Sequence, residues 1–148
     1  TNDVTGRYKL GEVGIVLDIG RPGLGTRFTD VEKIYRRLHR LGIRMEKQNP
    51  VASLLKDING SDFKTEVLNE KVMSAIIEFI VPLEKLEDVL AEIKKSAGEI
   101  DTVFSVGIID RVAPDGSMPN KDKANSLGYQ PSINAKVCIG TGRPLAKC

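Results

Sequence analysis

The side chains that most often carry chemistry are scarce in this chain. Among its 148 residues there is one histidine, His39, and there are two cysteines, Cys138 and Cys148. Catalytic triads and most metal sites need several imidazole, thiolate or carboxylate partners. His39 also stands among arginines on the charged side of an expected helix, which favours a surface position. We therefore predict no catalytic residues and no metal site.

The two cysteines lie near the end of the sequence, on either side of a glycine-rich segment. One interpretation is that they serve as a redox pair or as two thiolate ligands of a zinc ion. Because a structural zinc site needs four ligands, such a zinc ion would be shared between subunits. The alternative is a buried Cys138 on a strand and an exposed Cys148, both as free thiols. We favour the second interpretation.

A glycine-rich turn is the best candidate for a binding site. Its residues are Arg21, Pro22, Gly23, Leu24 and Gly25, and Arg27 follows before a predicted helix. Glycines let the backbone approach a ligand closely, and exposed amides at the start of a helix attract anions. With Arg21 or Arg27 as the counter-charge, the turn would bind an anionic group such as a carboxylate. The alternative is a plain turn that needs glycine only for its backbone conformation.

Composition favours one domain and argues against two classes of partner. Hydrophobic residues make up 41% of the chain, and the net charge is only +2. With aromatics at 5% and no tryptophan, there is little surface for stacking nucleic-acid bases, so we expect no nucleic-acid binding. No apolar run approaches the roughly 18 to 20 residues that cross a bilayer. Thr1–Leu10 is polar and lacks a signal segment, so we expect a cytoplasmic protein that does not associate with a membrane.

The first half of the chain contains a strand, a helix and a second strand. Glu12–Ile19 is apolar and β-branched, which indicates a buried strand. Thr29 and Glu32 have the spacing of a capping box, and the apolar residues that follow recur every three or four positions up to Gly42, which indicates an amphipathic helix. Ile43–Lys47 alternates apolar and charged residues, as in a half-buried strand.

The second half repeats this order. Val72–Val81 predicts a third strand, and an apolar stripe from Leu83 to Ala97 predicts a second helix. Asp101–Asp110 predicts a fourth strand with a possible bulge at Gly107. Two such units predict an α+β fold, namely a ferredoxin-like βαββαβ antiparallel sheet with both helices on one face. The other face would be left open, so we expect a homo-oligomer.

The predicted domain covers residues 1–111 and includes an insertion, Gln48–Lys71, between the second and third strands. Residues 112–148 form a C-terminal extension that packs on the domain or on a partner. Insertions of this length usually carry function or an interface. Within the extension, Ser132–Ile139 alternates like a further strand, and the Gly-Thr-Gly-Arg run at 140–143 is more typical of a loop than of a phosphate site.

The run Val16–Leu24 (VLDIGRPGL), followed by a helix and by Leu41–Met45 (LGIRM), resembles the ACT regulatory domain. The resemblance covers roughly residues 12–110 by element order, but only Arg21–Leu24 by motif. In that family the loop after the first strand faces a small-molecule effector at a subunit interface. Here Gly20 stands directly before the arginine, where the family has an acidic residue.

A second resemblance is to the PII-type signalling proteins. They share the double β-α-β order and carry a long loop at the position of Gln48–Lys71. Their basic, phosphate-contacting segment after the fourth strand is not matched by Arg111–Asp115 (RVAPD). The resemblance therefore implies signalling more than nucleotide binding.

The sequence thus predicts a non-catalytic regulatory or accessory protein that binds a small molecule or a larger protein through an oligomeric ferredoxin-like domain. No cofactor is indicated. Three further functions fit the same residues: a PII-like signalling protein, a thiol-dependent redox or metal-handling accessory protein that uses Cys138 and Cys148, and a subunit of a larger enzyme that docks through Gln48–Lys71 and the C-terminal extension.

Overall fold

The fold combines antiparallel strands with α-helices. The computed structural model describes residues 6–21 and 23–132. The strands are β1 (Glu12–Ile19), β2 (Thr26–Arg27), β3 (Lys71–Val72), β4 (Ala75–Pro82) and β5 (Phe104–Ile109). The helices are α1 (Phe28–Arg40), α2 (Leu86–Ser96) and α3 (Pro119–Ser126). Short 3-10 turns occupy Pro50–Leu54, Thr65–Val67 and Leu83–Lys85. The predicted α+β class is confirmed.

β1 is the central strand of a three-stranded antiparallel sheet with the order β4-β1-β5. At its end, Ile19 lies opposite Ala75 of β4 on one side and Phe104 of β5 on the other. The register between β1 and β5 is continuous, and Gly107 lies directly opposite Val16. The bulge predicted at Gly107 is therefore wrong.

One hydrophobic core joins the sheet to α1 and α2. Every second residue of β1 is fully buried, namely Val13, Ile15, Leu17 and Ile19. The stripes that cover them are Val31, Ile34, Tyr35 and Leu38 of α1 and Leu86, Val89, Leu90 and Ile93 of α2. Each large apolar side chain buried in this way contributes about 1.5–3 kcal/mol. None of the helices in the described ranges is both long enough and apolar enough to span a bilayer.

The second predicted strand, Ile43–Lys47, is not formed. Its side chains alternate between buried and exposed as expected, but the segment makes no strand ladder. The Glu46 amide donates to the Glu78 carbonyl of β4 at 2.7 Å, and the Met45 amide donates to the Tyr35 hydroxyl at 3.0 Å. Because the Met45 amide is bonded to the Tyr35 side chain and not to a neighbouring strand, the segment runs beside β4 without forming a strand.

The predicted capping box at the start of α1 is also wrong. The helix begins at Phe28, one residue before Thr29, and the preceding Arg27 makes no side-chain capping bond. Instead, the Phe28 amide donates to the Glu70 carbonyl at 3.3 Å, and the Thr29 amide donates to the Leu68 carbonyl at 3.0 Å. The insertion therefore caps α1 with its own backbone.

The insertion Gln48–Lys71 is folded into the domain. Ala52, Leu55 and Phe63 belong to the core, and Leu55 and Phe63 form an antiparallel bridge. Glu32, predicted as part of the capping box, accepts a hydrogen bond from the buried Phe63 amide at 2.9 Å. The side chain of the predicted cap therefore fixes the insertion to α1.

The third predicted strand is divided into two. Lys71 and Val72 form β3, which pairs with Arg27 and Thr26 of β2 as a separate two-stranded sheet. β4 then begins at Ala75. The small sheet fixes the end of the insertion beside the start of α1.

The described part of the C-terminal extension closes one end of the sheet. Asn120 is 1% exposed, and its Nδ2 donates to the Glu12 carbonyl at 2.9 Å and to the Ile109 carbonyl at 3.0 Å. Leu127 and Tyr129 pack against the core. Apart from Ser132, the strand predicted at Ser132–Ile139 lies outside the described residues, as do the 140–143 run, Cys138 and Cys148.

The sheet face opposite the helices is partly covered by the chain itself. Tyr8 is buried there against Gly14, where an added Cβ would lie 2.3 Å from the Tyr8 Cε1. The Tyr8 hydroxyl donates to Glu78 Oε1 at 2.5 Å, and Arg7 pairs with Glu78 and with Glu46, each at 3.1 Å. A partner is therefore not needed to cover this part of the face.

The contact between Glu32 and Phe63 yields a stability prediction. Replacing Glu32 with alanine leaves the buried Phe63 amide without its acceptor, so Glu32→Ala should lower the free energy of unfolding by about 1–3 kcal/mol. Thr29→Ala is the matched control and should change it by less than about 0.5 kcal/mol, because Thr29 caps nothing. Urea denaturation measures both. A loss at Thr29 equal to that at Glu32 would restore the capping box.

The ion pairs of Arg37 yield a pH prediction. Arg37 of α1 contacts Glu92 Oε2 at 2.9 Å and Glu99 Oε2 at 2.7 Å. The pKa of Glu92 is lowered from its ordinary value of 4.5 by hydrogen bonds from Lys95 and Arg37, and that of Glu99 is lowered by Arg37. A lowered carboxylate pKa stabilises the fold above pH 4.5, and this stabilisation is lost as the pH falls through the folded-state value.

Arg37→Gln should therefore destabilise the protein at neutral pH, and the difference from wild type should shrink as the pH falls below 4.5. Urea denaturation across this pH range measures it. Lys94→Gln, an exposed change on α2, is the control and should give a pH-independent difference. A constant difference for Arg37→Gln as well would rule out the assigned ion pairs.

Candidate functional site

The predicted binding turn lies at the end of β1, between β1 and β2. Gly20 has φ +92° and Gly25 has φ +72°, and the Gly25 amide donates to the Gly20 carbonyl at 2.9 Å. A Cβ added to Gly20 would lie 2.8 Å from the carbonyl carbon of Gly25. A Cβ added to Gly25 would lie 2.8 Å from the carbonyl oxygen of Val72. Only glycine fits these two positions, because both the backbone conformation and the packing exclude a side chain.

Two other segments hold the turn in place. The Gly20 amide donates to the Val103 carbonyl at 2.7 Å, and the Thr102 hydroxyl donates to the Gly25 carbonyl at 2.6 Å. Gly25 also packs against Val72, in the segment that precedes β4. The turn is therefore held by the segments that lead into β4 and β5.

The turn presents some of the predicted site residues to solvent. Arg21 has a side chain that is 61% exposed, Leu24 is 60% exposed, and Gly23 is exposed as well. Arg27 is exposed, but its Nη1 donates to the Asn69 carbonyl at 2.7 Å and so helps to hold the insertion. Pro22 lies outside the described residues. Arg21 and Arg27 thus differ in their contacts, since Arg27 is bonded to the insertion and Arg21 extends into solvent.

The expectation that the first amides of α1 bind an anion is wrong for Phe28 and Thr29. Both donate to carbonyls of the insertion, at Glu70 and Leu68. An amide that is already bonded to a carbonyl offers little to a ligand. Binding of an anion at this turn would therefore rely on groups other than these two amides.

Asp18 is the residue that the motif did not identify as part of the site. It lies on the sheet face opposite the helices, between Ile76 of β4 and Ser105 of β5. Its Oδ1 is buried and has no hydrogen-bond partner among the described residues. It forms an ion pair with Arg21, whose Nε lies 3.6 Å from this oxygen. Strand alternation from the buried Leu17 and Ile19 was the available signal for its orientation.

The pair offers two complementary functions to a ligand. The Asp18 carboxylate can accept a hydrogen bond from an ammonium or hydroxyl group, and the exposed Arg21 guanidinium can bind an anion. Because Asp18 Oδ1 is buried and accepts no hydrogen bond from the described residues, a donor that reached it would be stabilised. The arrangement is therefore suited to binding.

Exposed apolar side chains lie around the turn. Met73, which is 89% exposed, follows the Val72 carbonyl that packs on Gly25. Val103 is partly exposed next to its bond with Gly20. Together with Leu24 they give this end of the sheet an apolar surface around the charged pair.

A second concave surface, of about 290 Å³, forms where α1 meets the insertion. Its lining residues are His39, Lys56, Asp57, Gly60, Ser61 and Asp62. His39 lies half-buried at this surface, and its Nε2 is 2.9 Å from the carbonyl oxygen of Asn59 in the insertion. Asp62 is paired with Arg36 at 3.0 Å. No local pattern indicated this surface, because it depends on how the insertion folds.

Within residues 6–21 and 23–132, no group of three or more histidine, cysteine, aspartate or glutamate side chains is placed to hold a metal ion. Comparison with known proteins adds no identification, since no family model, curated protein or solved structure matches the chain.

The packing of the turn predicts a difference between its glycines. Gly23 has φ +71° with open space around it, so Gly23→Ala should lower the free energy of unfolding by the conformational cost alone, about 1–2 kcal/mol. Gly20→Ala and Gly25→Ala add a backbone clash and should each lose a further 1–3 kcal/mol or so. Thermal and urea unfolding measure the series. Equal losses at all three positions would mean that the turn is not packed as described.

Proposed function

We propose that the protein is a non-catalytic regulatory or accessory protein whose ferredoxin-like, ACT-like domain forms a homo-oligomer and binds a small molecule at Asp18 and Arg21. The observation that carries the proposal is the buried Asp18 Oδ1, which accepts no hydrogen bond from the described residues and lies 3.6 Å from an exposed guanidinium, beside a turn that only glycines can form. A carboxylate oxygen that accepts no hydrogen bond, next to an exposed guanidinium, is suited to recognition.

The arrangement of the sheet supports the ferredoxin-like assignment. The order β4-β1-β5, all antiparallel, with α1 and α2 in one core, agrees with three of the four strands of that arrangement. The segment Ile43–Lys47 runs beside β4, where the remaining strand of a ferredoxin-like sheet would lie. The turn after β1, where the ACT resemblance puts an effector, is also where Asp18 and Arg21 meet.

The ligand class follows from the two charges. A molecule that carries a carboxylate for Arg21 and an ammonium or hydroxyl donor for Asp18 would satisfy both at once. Neighbouring apolar side chains such as Leu24 would contact an aliphatic part of the same molecule. We therefore propose a small carboxylate with an adjacent hydrogen-bond donor, such as an amino acid or a hydroxy acid.

A larger protein is the second candidate ligand, because Met73 and Leu24 are strongly exposed apolar residues beside the turn. Flexible methionines are common on surfaces that bind other proteins. A protein ligand would bind at the same end of the sheet. In that case Met73→Gln should abolish capture of the partner, and Arg21→Gln should have little effect on it.

A PII-like function and a thiol-dependent function have less support. The PII-type resemblance rested on a long loop at Gln48–Lys71, and here Ala52, Leu55 and Phe63 of that segment are buried in the core. The thiol-dependent function rests on Cys138 and Cys148, outside the described residues. It stays a prediction.

A binding test can separate the two arginines. The full-length protein is screened by thermal shift against amino acids and hydroxy acids, and any ligand is then titrated by calorimetry. At a ligand concentration of about 100 times Kd the protein should gain about 2.7 kcal/mol. Arg21→Gln should weaken binding about 10- to 100-fold by removing a charged hydrogen bond.

Arg27→Gln is the matched control and should change the Kd less than about threefold, because Arg27 is bonded to the insertion. Asp18→Asn should weaken ligands with an ammonium group more than those with a hydroxyl group, since it removes the charge but keeps an acceptor. Equal effects of Arg21→Gln and Arg27→Gln, or no binding of any carboxylate, would refute the proposed site.

A further inference from the structure

The two edges of the sheet are treated differently. Along β4, the Glu46 amide donates to the Glu78 carbonyl and the Asn49 side chain donates to the Ile76 carbonyl at 2.9 Å, so part of that edge is covered. β5 pairs with β1 and with no other strand among the described residues. Within the described residues, two carbonyls along the β4 edge are therefore hydrogen-bonded, whereas the β5 edge presents a row of backbone groups with no neighbouring strand.

β5 also lacks the features that normally protect an edge strand. Its sequence, FSVGII, contains no charged residue and no proline, and its ladder with β1 has no bulge. Natural proteins use those devices to prevent edge-to-edge pairing. Val106 is 39% exposed, although its neighbour across the ladder, Leu17, is fully buried on the same face. The core thus ends with an uncovered apolar side chain in the middle of the edge strand.

We propose that β5 pairs antiparallel with β5 of a second copy about a two-fold axis at Val106, which joins the two sheets into one of six strands. The inference rests on the homo-oligomer of the proposed function and gives it a surface. It does not depend on a ligand at Arg21.

The sequence around β5 is self-complementary in this register. With the axis at Val106, Ser105 lies opposite Gly107 of the second copy, so two small residues face each other. Asp101 lies opposite Arg111 of the second copy if the register continues beyond the strand, which places opposite charges at each end of an uncharged strip. Asp101 is exposed, and Arg111 is held near the end of β5 by its hydrogen bond to the Tyr8 carbonyl at 3.2 Å. A two-fold interface needs this kind of surface, which matches itself.

The pairing leaves the binding turns accessible. Val103, whose carbonyl accepts the hydrogen bond from Gly20 of the turn, lies three positions from Val106. Each turn would therefore be about 10 Å from the two-fold axis along the strand. The two turns would therefore lie at opposite ends of the paired strands. Asp18 of one copy would not lie at the turn of the other copy.

The first measurement is the mass of the full-length protein by native mass spectrometry and analytical ultracentrifugation. Wild type should be a dimer. Val106→Lys places two like charges at the axis and should raise the dimer Kd at least about tenfold. Ile80→Lys, at a similarly exposed position on β4, is the matched control and should leave the dimer unchanged.

A second variant tests the register and remains informative if Val106→Lys does not fold. In a background with Cys138→Ser and Cys148→Ser, Val106→Cys should form an intermolecular disulfide on mild oxidation, because Cβ atoms directly opposite each other lie about 4.5–5.5 Å apart. Ile80→Cys should form none. A disulfide at position 80 but not at position 106 would overturn the inference.

A wild-type monomer would also overturn the inference. Hydrogen exchange then identifies the alternative, since protected β5 amides in a monomer would mean that the chain covers its own edge. A monomer that still binds a carboxylate through Arg21 refutes the β5 interface alone. A dimer that binds no carboxylate refutes the ligand site and supports this interface if Val106→Lys dissociates it.

Discussion

β1 is hydrogen-bonded on both sides, and the rest of the structure depends on that strand. One face of β1 carries four fully buried apolar residues, and its other face holds Gly14, Val16 and Asp18. Because β4 and β5 both pair with β1, the segments that lead into them converge at its end, where the turn begins. The same strand therefore organises the core with one set of side chains and the candidate site with the other.

The insertion is a structural part of this domain and not an arm attached to it. It supplies carbonyls to the first amides of α1, buries Phe63 beneath Glu32, and holds Arg27 through Asn69. The resulting arrangement uses Arg27 for structure and leaves Arg21 available at the surface. Two arginines that look equivalent in the sequence thus differ in their contacts because of Asn69, which lies 42 positions along the chain from Arg27.

Much of the fold follows from local pattern. Glu12–Ile19, the stripe of α1 and its end at Gly42 agree with the sequence, because periodicity and a glycine with positive φ are properties of short stretches. What the pattern missed depends on distant partners. Thr29 and Glu32 had the spacing of a cap, but the acceptors for the helix came from the insertion. Asp18 was not identified as a site residue, since its unsatisfied oxygen depends on the neighbouring strands.

The contact between Tyr8 and Gly14 makes the first described residues part of the folding unit. Removing the chain before Lys9 would take away both the phenol hydroxyl and the guanidinium that Glu78 contacts on the open face. It would also uncover Gly14, where the Tyr8 ring occupies the space that a side chain would take. Arg7 and Tyr8 therefore cover part of the open face, and a proteolytic cut after Tyr8 would expose β1, the central strand of the sheet.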